Sequence, residues 1–151
     1  LRSALITLTR GLFVLNSRFI DFRPQGEAPA KTRKGVLIAH ETGRAVAFGL
    51  EVAQGRGVTF IEPGTPVYQG MIVGENTKEH DIDINVCKGK QLTNVRSKSS
   101  DGMIQLAPAT ILNLEQSLDF IEDDELLEIT PKNLRLRKRH LTKNEREKNS
   151  K

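Results

Sequence analysis

The chain has 151 residues, 37% of them apolar, and a formal net charge of +4. That length suits one ordinary domain with a moderate core. No apolar run approaches the roughly 20 residues of a membrane-spanning helix. The single Cys87 excludes an internal disulfide and fits a reducing, cytoplasmic setting without a membrane partner.

The first segment, "LRSALITLTRGLFVLNSRFIDF", is interrupted by Arg2, Arg10 and Arg18, which defeats a signal-peptide reading. It begins at Leu1 rather than Met, so the chain is expected to be part of a longer protein. Residues 1–23 read as a helix ending at Gly11 followed by a strand with Phe13, Leu15, Phe19 and Phe22. An exposed strand of this kind is a site for self-pairing, so a homodimer is expected of the chain in isolation. "RPQGEAPAKTRKG" has two prolines, two glycines and no large apolar residue, which makes residues 24–34 a linker. From Gly35 the pattern is β. "VLIAH" is a short apolar run, and "RAVAFGLEV" alternates with Val46, Phe48, Leu50 and Val52 on one face. "VTFIE", "MIVGEN", "DIDINV" and "MIQLA" follow, separated by turn-rich segments. Short strands at this spacing predict a mainly β, barrel-like domain over residues 35–141.

One short α-helix is expected, over residues 113–122. Asn113 is its N-cap, Gln116 completes a capping box, and Leu114, Leu118 and Ile121 share the packing face. "ELLEIT" and "NLRLRK" come next. In the second, Leu134 and Leu136 alternate with Arg135 and Arg137, so one face packs and the other shows guanidinium groups. Residues 142–151 carry no large apolar side chain and are expected to form a disordered basic tail.

Catalytic signatures are missing. There is no G-x-x-x-x-G-K-[ST] phosphate cradle and no G-x-S-x-G elbow, and the "GRG" at Gly55–Gly57 is a turn. His40, His80 and His140 are far apart and out of metal-ligand spacing. "EHDID" reads as a solvated strand end, Cys87 as a small core residue, and "EDDE" (Glu122–Glu125) as a solvated helix end. No catalysis and no metal are therefore expected of this chain.

Charge is segregated. Residues 132–151 hold nine Lys/Arg and two acids, residues 111–128 hold seven acids and no base, and "CKGKQLTNVRSKSSDG" (Cys87–Gly102) carries Lys88, Lys90, Arg96 and Lys98 with no acid before Asp101. Grouped cations favour a polyanionic partner. Aromatics make up 5% of the chain and none lies between Tyr68 and Phe120, which argues against base stacking and for docking on folded RNA through phosphates. The alternative for the 88–102 stretch is a surface loop that only keeps the domain soluble. "LRLRKRH" has its own alternative, pairing with the acidic 111–128 region inside the fold.

"RGVTFIEPGTPVYQGMIVGE", "KGKQLTNVRS", "LEQSLDFIEDDELLEITP" and "LRLRKRHL" resemble, in order, the BipA/TypA family of ribosome-associated translational GTPases, relatives of elongation factor G. The resemblance covers Gly35 to Leu141 and makes this stretch the family's C-terminal domain. Residues 1–23 then look like the end of the preceding α/β, ferredoxin-like domain. It implies that GTP and Mg belong to a domain far N-terminal of this one. It also implies ribosome binding, a part in large-subunit assembly and stress adaptation, and contacts with ribosomal RNA and the acceptor end of an A-site tRNA through the basic loop. Carried onto matching positions, the contacts are Lys88, Lys90, Asn94, Arg96 and Ser97, with Lys98 in addition; Gln91 stands where relatives often have a base. Arg135, Arg137, Lys138 and Arg139 are secondary RNA contacts. The runner-up is a protein-interaction module using the acidic 115–128 face.

Overall fold

The computed structural model describes residues 5, 9, 12, 14–24, 33–89 and 104–149. The chain divides into two compact units, residues 1–32 and 33–151. In the first, Thr9 N and Oγ1 both donate to Leu5 O, at 3.0 and 2.7 Å, a helical turn. Residues 12–22 are expected as a strand, but 12 and 14–22, the described part, form no ladder among the described residues. Leu12, Val14, Phe19, Ile20 and Phe22 are all 70% exposed or more, so the apolar pattern that suggests a strand meets no pairing partner among the described residues.

The second unit is mainly β, in three small sheets. β1 (Val36–Ala39), β3 (Gly57–Thr59), β5 (Ile72–Asn76) and β6 (Ile82–Ile84) form a four-stranded sheet in the order β3-β5-β1-β6. β1 lies antiparallel to β5 and parallel to β6, and all four of its residues are buried. β2 (Gly43–Arg44) pairs with β4 (Pro66–Val67), and β7 (Glu125–Ile129) forms an antiparallel hairpin with β8 (Leu134–Lys138). Alternation along β1 divides the core in two. Leu37 and Ala39 face a cluster with Leu50, Ala53, Val73, Ile84 and Val86. Val36 and Ile38 face Ile72 and Leu136, flanked by Phe60, Phe120 and Leu127.

Four expectations are corrected. The "RAVAFGLEV" segment is largely a helix, α1 (Ala47–Gln54), which covers the Leu37 face. Its buried residues Gly49, Leu50 and Ala53 follow helical spacing, while Val52, placed on the buried face of the expected strand, is 44% exposed. Ala47, Leu50, Glu51, Ala53 and Gln54 are good helix formers, and they outweigh a short β-like alternation. Helix α2 (Leu114–Phe120) has the expected capping box, with Asn113 Oδ1 accepting from Gln116 N at 2.8 Å and Gln116 Oε1 from Asn113 N at 3.0 Å. Its buried side is different: Ser117 is buried, with Phe120 and Ile121 half-buried, while Leu118 is 54% exposed. Finally, the C-terminal segment is ordered as α3 (Lys143–Asn149). Thr142 and Glu145 cap it reciprocally, and Arg146 pairs with Asp83 on β6. "MIQLA" also joins no sheet: Ile104–Ala107 lies outside every ladder.

Candidate nucleic-acid interface

The basic stretch starts where β6 runs out, and α1 fixes that point. Val46 N, at the N-cap of α1, donates to Val86 O at 2.9 Å. Gly49 faces the same peptide: a Cβ there would lie 2.3 Å from Val86 O. Only glycine lets helix and strand end approach this closely. Cys87 sits half-buried with its Sγ against Gly43, and burial, followed by the nearby Glu41 carboxylate, pushes its thiol pKa up. It packs against the α1-side core. Lys88 follows, exposed to solvent.

The same helix holds the far flank. Gln54, its last residue, accepts from Ala107 N through Oε1 at 2.9 Å and donates through Nε2 to Ala107 O at 2.8 Å. Leu106 packs on the α1-side core. One short helix thus anchors Val86 and Ala107, the two sides of the basic stretch. Lys90, Asn94, Arg96, Ser97 and Lys98 lie outside the described residues.

The basic run on β8 is employed differently. Lys138 is 2% exposed, and its ammonium lies 2.6 Å from Asp81, 2.8 Å from Asp124 and 2.9 Å from Glu125. Burial alone would depress its pKa, but the hydrogen bonds it donates to these carboxylates win and push it up to about 12. Asp124 is correspondingly lowered: burial opposes its ionisation, and the bond from Lys138 outweighs it. Arg33 completes the cluster, 2.6 Å from Glu125, with its guanidinium 4.5 Å over the Phe120 ring. Arg137 donates from Nε to Glu128 at 2.7 Å, and Glu128 also accepts from the Tyr68 hydroxyl at 2.6 Å. Arg139 is exposed and donates to Asp123 O at 2.9 Å. Arg135 is half-buried at the mouth of a groove, and its side chain makes no hydrogen bond or ion pair among the described residues.

The family model for the TypA/BipA C-terminal domain matches residues 34–143. This chain belongs to the TypA/BipA family. It is 46% identical over 147 residues, 97% of its length, to the large ribosomal subunit assembly factor BipA of Bacillus subtilis (strain 168). It is likewise 46% identical over 137 residues to the factor of that name from Synechocystis, and 45% identical over 148 residues to the one from Escherichia coli (strain K12). The chain spans about a quarter of the length of these curated relatives, 24%, 23% and 24%.

Within this TypA/BipA domain the predicted site residues therefore separate. Lys88 is presented to solvent at the stem of the basic stretch. Lys138, expected as a secondary contact, is enclosed by three carboxylates and is not available to a partner. Arg137 and Arg139 are tied to the 123–128 segment, the internal pairing that the sequence offered as the alternative. "EDDE" is no solvated helix end: Glu125 is 3% exposed and holds both Lys138 and Arg33. Among the described residues no group of His, Cys, Asp and Glu is arranged to hold a metal ion, and no helix is long and apolar enough to cross a membrane. Sequence reasoning missed the role of Gly49 and Gln54. Gly49 had a signal, a glycine inside a run of helix formers, which marks close backbone approach.

Proposed function

We propose that this domain is the ribosome-binding, RNA-contacting module of a BipA/TypA-type GTP-binding translation factor that acts in large-subunit assembly and stress adaptation in the cytoplasm. The observation that carries this reading is the clamping of both flanks of a basic stretch by α1, in a chain whose relatives are named large ribosomal subunit assembly factors. Lys88, Lys90, Asn94, Arg96, Ser97 and Lys98 meet ribosomal RNA and the acceptor end of an A-site tRNA. Cations and amides of this kind bind phosphate and sugar without reading sequence. A stretch anchored at both flanks loses less entropy on binding than a free tail of equal length. Arg135 is the one residue of the β8 run with a guanidinium free to add a secondary contact.

The domain itself performs no catalysis in this reading. GTP hydrolysis with Mg belongs to the N-terminal part of the full-length factor. The acidic 115–128 face supports a protein-docking role poorly, because Glu125 and Asp124 hold Lys138 and Glu128 holds Arg137. The exposed apolar side chains of Leu12–Phe22 favour self-association of the 151-residue chain when it stands alone. Sedimentation with purified ribosomal subunits tests the assignment. The chain should travel with large subunits and not with small ones; equal recovery with both, or with neither, would overturn it.

A further inference from the structure

Beside the RNA-contacting stretch of residues 88–98, the domain has a second surface feature, which shares only Arg135 with the contacts proposed above. The β7–β8 hairpin is bonded through alternate residues. Thr130 N donates to Asn133 O at one end, and Arg139 N to Asp124 O at the other. Residues 133, 135, 137 and 139 therefore turn their amides and carbonyls toward β7, and Leu134, Leu136 and Lys138 turn theirs to the opposite edge. On that edge Lys138 N reaches Gly70 O, and Met71 bridges Arg137. Past this point β5 leaves to pair with β1 and β3. The N–H of Leu136 and both backbone groups of Leu134 are left without a ladder partner among the described residues.

Where β5 and β8 part, a groove of ≈ 390 Å³ opens, within the usual range for ligand sites. Its floor is apolar, with Phe60, Met71, Leu112 and Leu134. Ile111 on its far wall is 67% exposed and Leu134 37%. Lys132 and Arg135 stand on the β8 side. Arg135 faces Glu128 across the hairpin, but both Glu128 oxygens are taken, one by Arg137 and one by Tyr68. Glu62 also lines the groove, so the charge is not all of one sign. An open strand edge over an apolar floor, bordered on the β8 side by two cations that no ion pair engages among the described residues, fits one kind of occupant.

We propose that this groove takes an extended peptide of alternating apolar and acidic residues, added as a strand along the Leu134–Leu136 edge of β8. Main-chain bonds to Leu134 and Leu136 supply register, as in strand addition generally. Side chains beside Leu134 and Leu136 enter the apolar floor. The residue opposite Arg135 lies on the other face, where a carboxylate completes a cross-strand ion pair. A nucleic-acid strand would use the two cations but not the unpaired amide and carbonyl of a β edge, so the peptide is the better fit.

The test is a titration of the ¹⁵N-labelled chain with acetyl-Val-Glu-Val-Glu-Val-amide, followed by amide shifts. Saturable shifts at Leu134, Leu136, Ile111 and Leu112 are expected. They should weaken about fivefold or more for Arg135→Glu, the equivalent of about 1 kcal/mol for a cross-strand pair, and for the Lys-for-Glu peptide. A peptide N-methylated at alternate residues should not bind, which reports on the edge bonds without altering the protein. No saturable shift at millimolar peptide, equal binding of the N-methylated form, or shifts at these residues from pentauridylate but not from the peptide would each overturn the proposal. The amide dispersion of Arg135→Glu shows that the variant is folded.

Discussion

Lys138→Met isolates the buried ion cluster. The side chain is unbranched and similar in length, so packing is largely kept while the charge goes. Three carboxylates then remain around the vacated position: Asp81 and Asp124 each lose a partner at 2.8 Å or less, and Glu125, 3% exposed, keeps Arg33 and the Glu122 amide. Removing one member of a buried, hydrogen-bonded set costs about 3–5 kcal/mol, because the remaining charge is desolvated and unpaired. Asp81 and Asp124 are partly exposed and rehydrate, which places the expected loss at about 3 kcal/mol. For a domain of this size that is a fall in Tm of about 10–15 °C. The pH dependence adds a second constraint. Asp124 has a lowered folded pKa, so its contribution is present above the unfolded value of about 3.9 and is lost as pH falls through the folded value. Lys138 has a raised one, so its contribution is complete below the unfolded value of about 10.4 and is lost only as pH rises through about 12. The gap between wild type and Lys138→Met should therefore hold steady from pH 5 to pH 9 and close below pH 4. Urea denaturation followed by circular dichroism at pH 3, 7 and 9 measures it. A loss under 1 kcal/mol at pH 7, or a gap that persists unchanged at pH 3, would refute the electrostatic reasoning.

Gly49→Ala gains about 1 kcal/mol of helix propensity but drives a methyl into the Val86 carbonyl. Because the obstacle is backbone, a net loss of about 1–2 kcal/mol is expected in urea denaturation, and a stabilised variant would contradict the close approach. Gln54→Ala removes both bonds to Ala107 on a partly exposed surface, so about 1 kcal/mol of stability goes and Ala107 amide exchange should quicken severalfold. Unchanged exchange at Ala107 would mean that Gln54 does not anchor the flank. Arg146→Ala should release α3, lowering helical ellipticity and raising amide exchange over Lys143–Asn149 with little effect on the Tm of the body; protected amides there would show that the ion pair is dispensable. The isolated chain should self-associate through Leu12–Phe22, read as a light-scattering mass that rises with concentration; a constant monomer mass counts against it.

Much of the β framework was legible because its residues obey strong local rules. "VLIA" is an apolar run of strand length flanked by Gly35 and His40, and it is the fully buried β1. Asn113 and Gln116 announce α2 through cap chemistry that no tertiary contact overrides. "RAVAFGLEV" misled because four apolar residues at period two also fit a helix whose small residues face the sheet. Only the position of Val86 decides which reading is physical. α3 carried its signal in Thr142 and Glu145, a capping box in a segment otherwise read by its lack of apolar residues. The candidate site was legible as charge but not as use. Lys138 and Arg135 look alike in "LRLRK", yet strand alternation sends one among carboxylates and leaves the other at a groove. Asp81 lies 57 positions from Lys138, and pairing over that separation has no local signature.

The most direct measurement is binding of the chain to large ribosomal subunits across a salt series, beside a variant with Lys88, Lys90, Arg96 and Lys98 all changed to Ala. Four to six phosphate contacts predict a log–log salt slope of roughly 3–5 for the wild type. The account predicts that the variant loses affinity and most of that slope while its Tm stays within a few degrees of wild type. Equal affinity and equal slope for the two proteins would contradict it, and would move the RNA contact away from the stretch that α1 holds.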